Sequence, residues 1–257
     1  MNAPDLETAI RLLSDAAESG EWLTELPPAS KPPSIPEALA MQEVLVQRLG
    51  GPVAGWKVVT DAPSGLSMWG AMFARDCFAN PAKVDGTMYS PMGVEGEIAF
   101  RFDRPLERRA EPYSRSEIEA VLTAFPAIEI VSSRFVSYQD TPPLDRVADR
   151  MSNGGLVIGE ARPDWRDMDL SKLRVTLTCD GVDILDRVGG HMRGDPMLPV
   201  VEFIHTVQAE KSFAVGELIT AGTLTDLTFA KPGQHYTVEF HGFGRVELTF
   251  RNTVGNG

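Results

Sequence analysis

The sequence predicts an α+β fold, with a small helical N-terminal region on a mixed, rolled β-sheet core. Three observations predict it. Apolar residues recur at helical spacing through the first fifty residues. From Gly55 onward the pattern changes to short alternating runs bounded by Gly and Pro. Helical and strand patterns stay largely apart, which favours α+β over regular βαβ repeats. With 257 residues the chain is long enough to bury a sizeable core without disulfide or metal staples. Residues 1–54 are the helical region in this reading, and residues 55–257 are the β-roll domain.

The elements follow in chain order. Asp5 is placed to cap a helix with Leu6, Ile10, Leu13 and Ala17 on one face, stopped at Gly20. The run PPASKPP (27–33) cannot continue a helix and reads as a linker or an extended wrap. Ser34 and Glu37 match a capping box, opening a second helix with Leu39, Val46 and Leu49 as its stripe before Gly50-Gly51. Strands are expected at 55–60, 95–102, 127–135, 173–181, 217–222, 236–242 and 244–250. A short helix opens at a second capping box, Ser114 to Glu117, and another runs over about 198–210.

Composition narrows the function classes. Thirty-six acidic against 24 basic residues leave a net charge of −12, which repels phosphate backbones and argues against nucleic acid. Two distant cysteines, Cys77 and Cys179, make neither a metal knuckle nor a disulfide framework and read as small buried residues of a reduced protein. The start, MNAPDLETAIRLLSDAA, lacks the basic region and apolar core of a secretory signal. No stretch reaches the ~20 apolar residues of a membrane helix, so the expectation is a cytoplasmic protein with no membrane partner.

Carboxylates placed where strands disfavour them are the most informative feature. In VEGEIAF, Glu95 and Glu97 lie two apart, so they share one strand face about 6.8 Å apart along the backbone. Ile98, Phe100 and Phe102 take the other face as core. Glu129 sits between Ile128 and Ile130, in a run too apolar for a solvated edge. Three such carboxylates facing one another repel unless a cation lies among them, and Mg²⁺ or Mn²⁺ suits an all-oxygen set. The spacing fits a solvent-facing E-x-E strand equally well, with Glu129 paired to an arginine.

Lys57 is the second candidate, a lysine crowded by Trp56, Val58 and Val59. Beside a metal it can orient an anion or exchange a proton, and standing alone it reads as a snorkelling edge residue. His191, His205, His235 and His241 are scattered, with no two at metal-ligand spacing. The chain has no G-x-S-x-G, Walker loop or G-x-G-x-x-G, so serine nucleophiles and dinucleotides lose their main support.

Taken in order, GWKVVT, EGEIAF, PAIEIVSSRF, DRVADRMSNGGLVIG, LITAGTLT and GFGRVELTF resemble the 2-keto-4-pentenoate hydratases and 4-oxalocrotonate decarboxylases of the fumarylacetoacetate hydrolase superfamily. The resemblance spans most of the chain. It implies Glu95, Glu97 and Glu129 as ligands of Mg²⁺ or Mn²⁺, Lys57 as the active-site lysine, and Ser152 and Thr223 as substrate-pocket residues. It also implies a small-molecule 2-oxo acid substrate and a homo-oligomer. The family chemistry is addition of water to a dienoate such as 2-hydroxypenta-2,4-dienoate through a metal-stabilised enolate. The same charge-stabilising step also serves 2-oxo acid decarboxylation or acylpyruvate-type C–C hydrolysis, and a silent relative would only bind 2-oxo acids.

Two departures bear on the substrate. Met68 stands where the family carries an acidic residue after the GWK strand. The family's Asp-Asn pair reads Asp149-Arg150, an added cation that either takes a second substrate carboxylate or faces solvent.

Overall fold

A computed structural model of the chain describes residues 3–60 and 64–252. The helical region opens with α1 (Ala3–Ser19), and Asp5 lies inside its first turn. Its buried stripe is Ala9, Ile10, Leu13 and Ala16, whereas Ala17 faces solvent. PPASKPP wraps against the body and contains a short 3-10 turn, Pro28–Ser30, with Ser30 buried. Ser34 caps α2 (Ile35–Leu49), accepting from the Glu37 backbone N–H. The Glu37 carboxylate bonds the Ser34 hydroxyl, so only half of the expected capping box forms. Ala38, Met41, Gln42 and Leu45 are the buried stripe of α2, and Leu39 and Leu49 are partly buried beside it.

The strands are β1 (Val53–Thr60), β2 (Ser67–Phe73), β3 (Cys77–Ala79), β4 (Ala82–Asp85), β5 (Gly93–Phe102) and β6 (Leu122–Val131). α3 (Arg115–Glu119) lies between β5 and β6 with a complete capping box at Ser114 and Glu117. After β6 come α4 (Pro143–Ala148), β7 (Asn153–Ile158), β8 (Arg174–Cys179), β9 (Val182–Val188) and α5 (Met197–Val207). β10 (Leu218–Thr223), β11 (Thr228–Phe229), β12 (His235–Phe240) and β13 (Gly244–Arg251) complete the chain.

An eight-stranded sheet runs β2-β1-β10-β5-β6-β7-β3, with β11 extending β10's side of β5. A five-stranded sheet runs β4-β13-β12-β8-β9. Both are mixed, since β1–β10, β3–β7 and β4–β13 are parallel pairs. The α+β class and the rolled sheet therefore stand.

The sheets pack through one apolar core. Val94, Ile98, Phe100 and Phe102 of β5 and Ile128 and Ile130 of β6 join Val238 and Phe240 of β12 and Val246, Leu248 and Phe250 of β13. A smaller cluster joins α1 and α2 to Phe135, Val147 and Ala148, so the helical region covers the segment that leads through α4.

β6 begins five residues earlier than the sequence pattern indicates and runs through Pro126, which reads in sequence as a strand boundary. Both cysteines are unpaired and half-buried instead of buried. Among the described residues no helix is long and apolar enough to cross a membrane.

Candidate active site

Strand alternation aims β5's Glu95 and Glu97 away from the core. Gly96 between them takes the core side, where a Cβ would come within 2.7 Å of Thr225 Cγ2 and 2.8 Å of Val238 Cγ1. The E-G-E run is thus two ligand candidates joined by the one residue the core tolerates. Register then assembles the rest. Glu129 of β6 is directly opposite Glu95. Lys57 of β1 is opposite Thr220 of β10, which in turn faces Ala99 on β5. Four charged side chains from three strands therefore meet on one face.

Carboxylate oxygens of Glu95, Glu97 and Glu129 all lie within 4.8 Å of one another. Glu97 and Glu129 are fully buried and Glu95 nearly so. Lys57 Nζ is 2.9 Å from Glu129 Oε2 and 3.6 Å from Glu95 Oε2. The shorter contact is an ion pair without hydrogen-bond alignment, so Glu129 Oε2 has no hydrogen-bond donor. Glu129 Oε1 accepts from Asn153 Nδ2 at 2.9 Å, and Glu97 Oε2 accepts from the Gly222 N–H at 3.2 Å. Gly222 offers that N–H from a backbone with φ +97°, open to glycine.

The electrostatics follow from this geometry. Burial, then Glu129 and Glu95, push the Glu97 carboxyl well above its ordinary value. Burial also raises Glu95 against the opposing pull of Lys57. Burial disfavours the Lys57 ammonium, but Glu129, Glu95 and Glu97 outweigh it and hold the group above the usual lysine range.

Three carboxylates against one ammonium leave excess negative charge in a buried site. Glu97 Oε1 and Glu129 Oε2 are sealed from water without a hydrogen-bond donor. An all-oxygen donor set with two such oxygens fits a hard divalent cation.

The cluster borders a cavity of about 380 Å³. Val59, Met68, Val147, Met151 and Pro199 form apolar wall, and Tyr138, Arg146, His191, Arg193 and Thr223 add polar groups. Thr223 borders this cavity. Met68 occupies cavity wall, so no acid enters from that strand.

Ser152 is sealed instead, with its Oγ unpartnered, and it is not among the cavity-lining residues. Arg150 also turns from this cavity. It donates to the Ala71 carbonyl at 3.2 Å, stacks over Phe73 at 4.8 Å, and lines a separate cleft with Arg75 and Arg134. Burial and the neighbouring Arg134 push its guanidinium down to about 9. It neither faces solvent nor reaches the carboxylates.

Sequence reasoning missed the turn that organises this wall. Arg150, Met151 and Ser152 are consecutive left-handed residues, with φ of 51°, 52° and 55°. Non-glycine residues there cost roughly 1–3 kcal/mol each and persist where surroundings impose them. The Ser152 N–H bonds the Asp149 carbonyl at 2.9 Å and the Ser132 N–H bonds the Ser152 carbonyl at 2.8 Å. The turn puts Met151 in the cavity and starts β7 with Asn153 against Glu129.

His191 is fixed instead of free. Its Nε2 lies 2.7 Å from the Ala221 carbonyl and its Nδ1 accepts from the Arg193 N–H at 3.3 Å. Burial lowers it, favouring the neutral ring.

Comparison with known proteins places the chain. A family model described as fumarylacetoacetate (FAA) hydrolase C-terminal matches residues 74–251, which include the three glutamates but not Lys57. A 2-keto-4-pentenoate hydratase of Paraburkholderia xenovorans (strain LB400) is 29% identical over 268 residues, covering 100% of this chain and 99% of that one. A 2-hydroxyhexa-2,4-dienoate hydratase of Comamonas testosteroni is 30% identical over 163 residues, 61% of this chain and 59% of the other. Among solved structures, 4-oxalocrotonate decarboxylase from Pseudomonas putida G7, complexed with magnesium and adipate, superposes with a TM-score of 0.84 at 18% identity, covering 97% and 98% of the two chains. With its rolled sheet, its full-length hydratase-named relative and a family match over most of its length, the chain belongs to the fumarylacetoacetate hydrolase family.

Proposed function

We propose that this chain is a divalent-metal-dependent hydratase, a hydro-lyase that adds water to a 2-hydroxy-dienoate such as 2-hydroxypenta-2,4-dienoate. The observation that carries the reading is the buried triad, with glutamate oxygens within 4.8 Å of one another and Lys57 at 2.9 Å. The full-length relative called a 2-keto-4-pentenoate hydratase supports the reaction type.

Glu95, Glu97 and Glu129 would hold Mg²⁺ or Mn²⁺, which supplies Lewis acidity toward the substrate carboxylate and 2-oxo oxygen. Magnesium in the decarboxylase of the same fold supports a divalent ion. The chain's own groups do the rest. Lys57, held as an ammonium, stabilises negative charge on the substrate oxygen and carries the proton exchanged with the carbon chain. The Asn153 amide fixes Glu129, and the Gly222 N–H fixes Glu97. Thr223 borders the substrate, and Met68 and Met151 keep bulk water from its hydrocarbon part. Ser152, buried and outside the cavity lining, contributes to the turn and not to substrate contact.

One observation favours a second reaction. With Met68 in the wall, no acid stands where the family's relay residue is expected, which suits 2-oxo acid decarboxylation or acylpyruvate-type C–C hydrolysis at the same site. A homo-oligomer is part of the proposal. Edge strand β9 exposes Val182, Ile184 and Val188, apolar surface that a second copy would cover.

The deciding assay follows loss of the dienoate chromophore with Mg²⁺ and with EDTA. Metal-dependent decay to a 4-hydroxy-2-oxo acid is expected in the wild type, and none in Glu129→Ala. A dienoate left untouched while a 2-oxo acid loses CO₂ would move the assignment to decarboxylase. Binding of 2-oxo acids without turnover of any would reduce the protein to a silent relative.

A further inference from the structure

Three arginine or lysine side chains line the cavity, and two are already committed. Lys57 pairs with Glu129 and Glu95. Arg193 makes a two-pronged pair with Glu202, at 2.9 and 2.7 Å. Asp226, the remaining acid of the lining, is taken by Arg187 at 2.8 Å. Arg146 is different. It comes from the helix α4, its guanidinium carbon lies 5.0 Å from the Tyr138 ring centroid, and it forms no ion pair with a carboxylate among the described residues. Tyr138 is itself braced edge-on by Phe229 at 6.2 Å.

A guanidinium stacked on a ring keeps its N–H edge for another partner, and that edge matches a carboxylate in two-pronged geometry. The rest of the wall is largely apolar, from Val59, Met68, Val147, Met151 and Pro199. Such a cavity suits a hydrocarbon chain charged at both ends, one end at the glutamates and Lys57 and the other at Arg146.

We propose that Arg146 receives a second, distal carboxylate, so that the preferred substrates are dioic 2-oxo or 2-hydroxy-dienoic acids instead of acids with a neutral tail. This rests on the reading of the triad as the 2-oxo acid end. The added cation at Arg150 is not the receptor, because it lines a different cleft. Arg146 lies four residues earlier and does line this cavity.

The test is calorimetric, on the full-length protein with saturating Mg²⁺. Oxalate reports the triad end alone. 2-Oxopentanoate, 2-oxoglutarate and 2-oxoadipate compare a neutral tail with carboxylates at two reaches. At least one dioic probe is expected to bind roughly ten- to a hundredfold tighter than 2-oxopentanoate, the scale of a charge-assisted pair. Arg146→Gln is expected to erase that preference and leave oxalate unchanged, while Arg146→Lys keeps part of it. Equal binding of mono- and dioic probes by the wild type overturns the proposal. So does an Arg146→Gln protein that weakens oxalate as much as the dioic probes, since Arg146 then only braces Tyr138. Oxalate that never binds with Mg²⁺ overturns the hydratase reading, and this one with it. Oxalate that binds without any dioic preference overturns the role of Arg146 alone.

Discussion

Two buried charge clusters lie side by side in this fold, and they are built on opposite rules. Around Asp149 the carboxylate and the Arg134 guanidinium saturate each other. Its carboxylate takes the Arg134 Nε, the Arg134 N–H at 3.0 Å and the Ser133 hydroxyl at 3.3 Å. The other two guanidinium nitrogens of Arg134 bond the Asp149 and Asn153 carbonyls at 2.7 and 3.3 Å. Carboxylate and guanidinium are matched directly, with the Arg150 guanidinium as a further neighbour. Around Lys57 one cation meets three anions, and two carboxylate oxygens have no donor. A balanced, saturated cluster holds structure, whereas an unbalanced one is set up to receive something. Asn153 joins them, giving its carbonyl to Arg134 and its side-chain amide to Glu129.

Breaking the balanced cluster has the largest expected effect on stability. Asp149→Ala strands the buried Arg134 guanidinium and is expected to cost about 3–5 kcal/mol. For a chain of this size that lowers Tm by on the order of 10 °C in a melt followed by circular dichroism. A loss below about 1 kcal/mol would mean that water enters and the cluster is not structural.

The unbalanced cluster is expected to respond the other way. Glu97→Gln removes negative charge from a crowded site, so in EDTA the variant melts at or above the wild-type temperature. With Mg²⁺ present its turnover falls by roughly 10²–10³-fold, the scale of losing a group that stabilises developing charge. A variant destabilised as severely as Asp149→Ala would place Glu97 among the structural charges.

Between them stands Asn153. Replacing it by Ala leaves the backbone carbonyl for Arg134 but removes the amide that orients Glu129. Metal affinity is expected to fall about 10–100-fold, with a Tm in EDTA close to wild type. Unchanged affinity would show that Glu129 needs no such support.

These contrasts explain what was legible in advance. Glu95 and Glu97 were readable as a same-face pair because strand period is local. Glu129 and Lys57 stood out because a charge inside an apolar run is conspicuous wherever the run goes, while the joining of the four into one site came only with the family resemblance. The class of fold followed from the same local patterns. Asn153 and Gly222 were not readable, because their roles depend on the β6–β7 register and on a bulge in β10 between Thr220 and Thr223, both set by distant residues. Nothing in DRMSN announces three left-handed residues, so the direction of Arg150 was open and Ser152 was expected in the pocket. β2 was missed because its Met- and Gly-rich sequence has weak strand preference, although pairing with β1 along seven register positions imposes it.

The smallest expected effect sharpens the comparison through pH. Glu97, and to a lesser degree Glu95, have carboxyl groups raised in the folded, metal-free protein, by burial first and by their acidic neighbours. In the unfolded chain a glutamate releases its proton near pH 4.3. Above that value the folded protein keeps protons that the unfolded chain has lost, so stability falls as pH rises until the raised groups ionise as well. One retained proton gives a slope of at most about 1.4 kcal/mol per pH unit. Lys57 does not offset this, because its raised value makes a contribution that is complete throughout the acid range and fades only in strong alkali. Denaturant melts in EDTA between pH 5 and 8 are therefore expected to show declining stability. Glu97→Gln flattens the decline, and saturating Mg²⁺ reverses it, because the cation binds the ionised carboxylates and penalises the protonated ones. A metal-free protein whose stability rises with pH over this range would mean that the three carboxylates find enough compensation without a cation, and the contrast with Asp149 would dissolve.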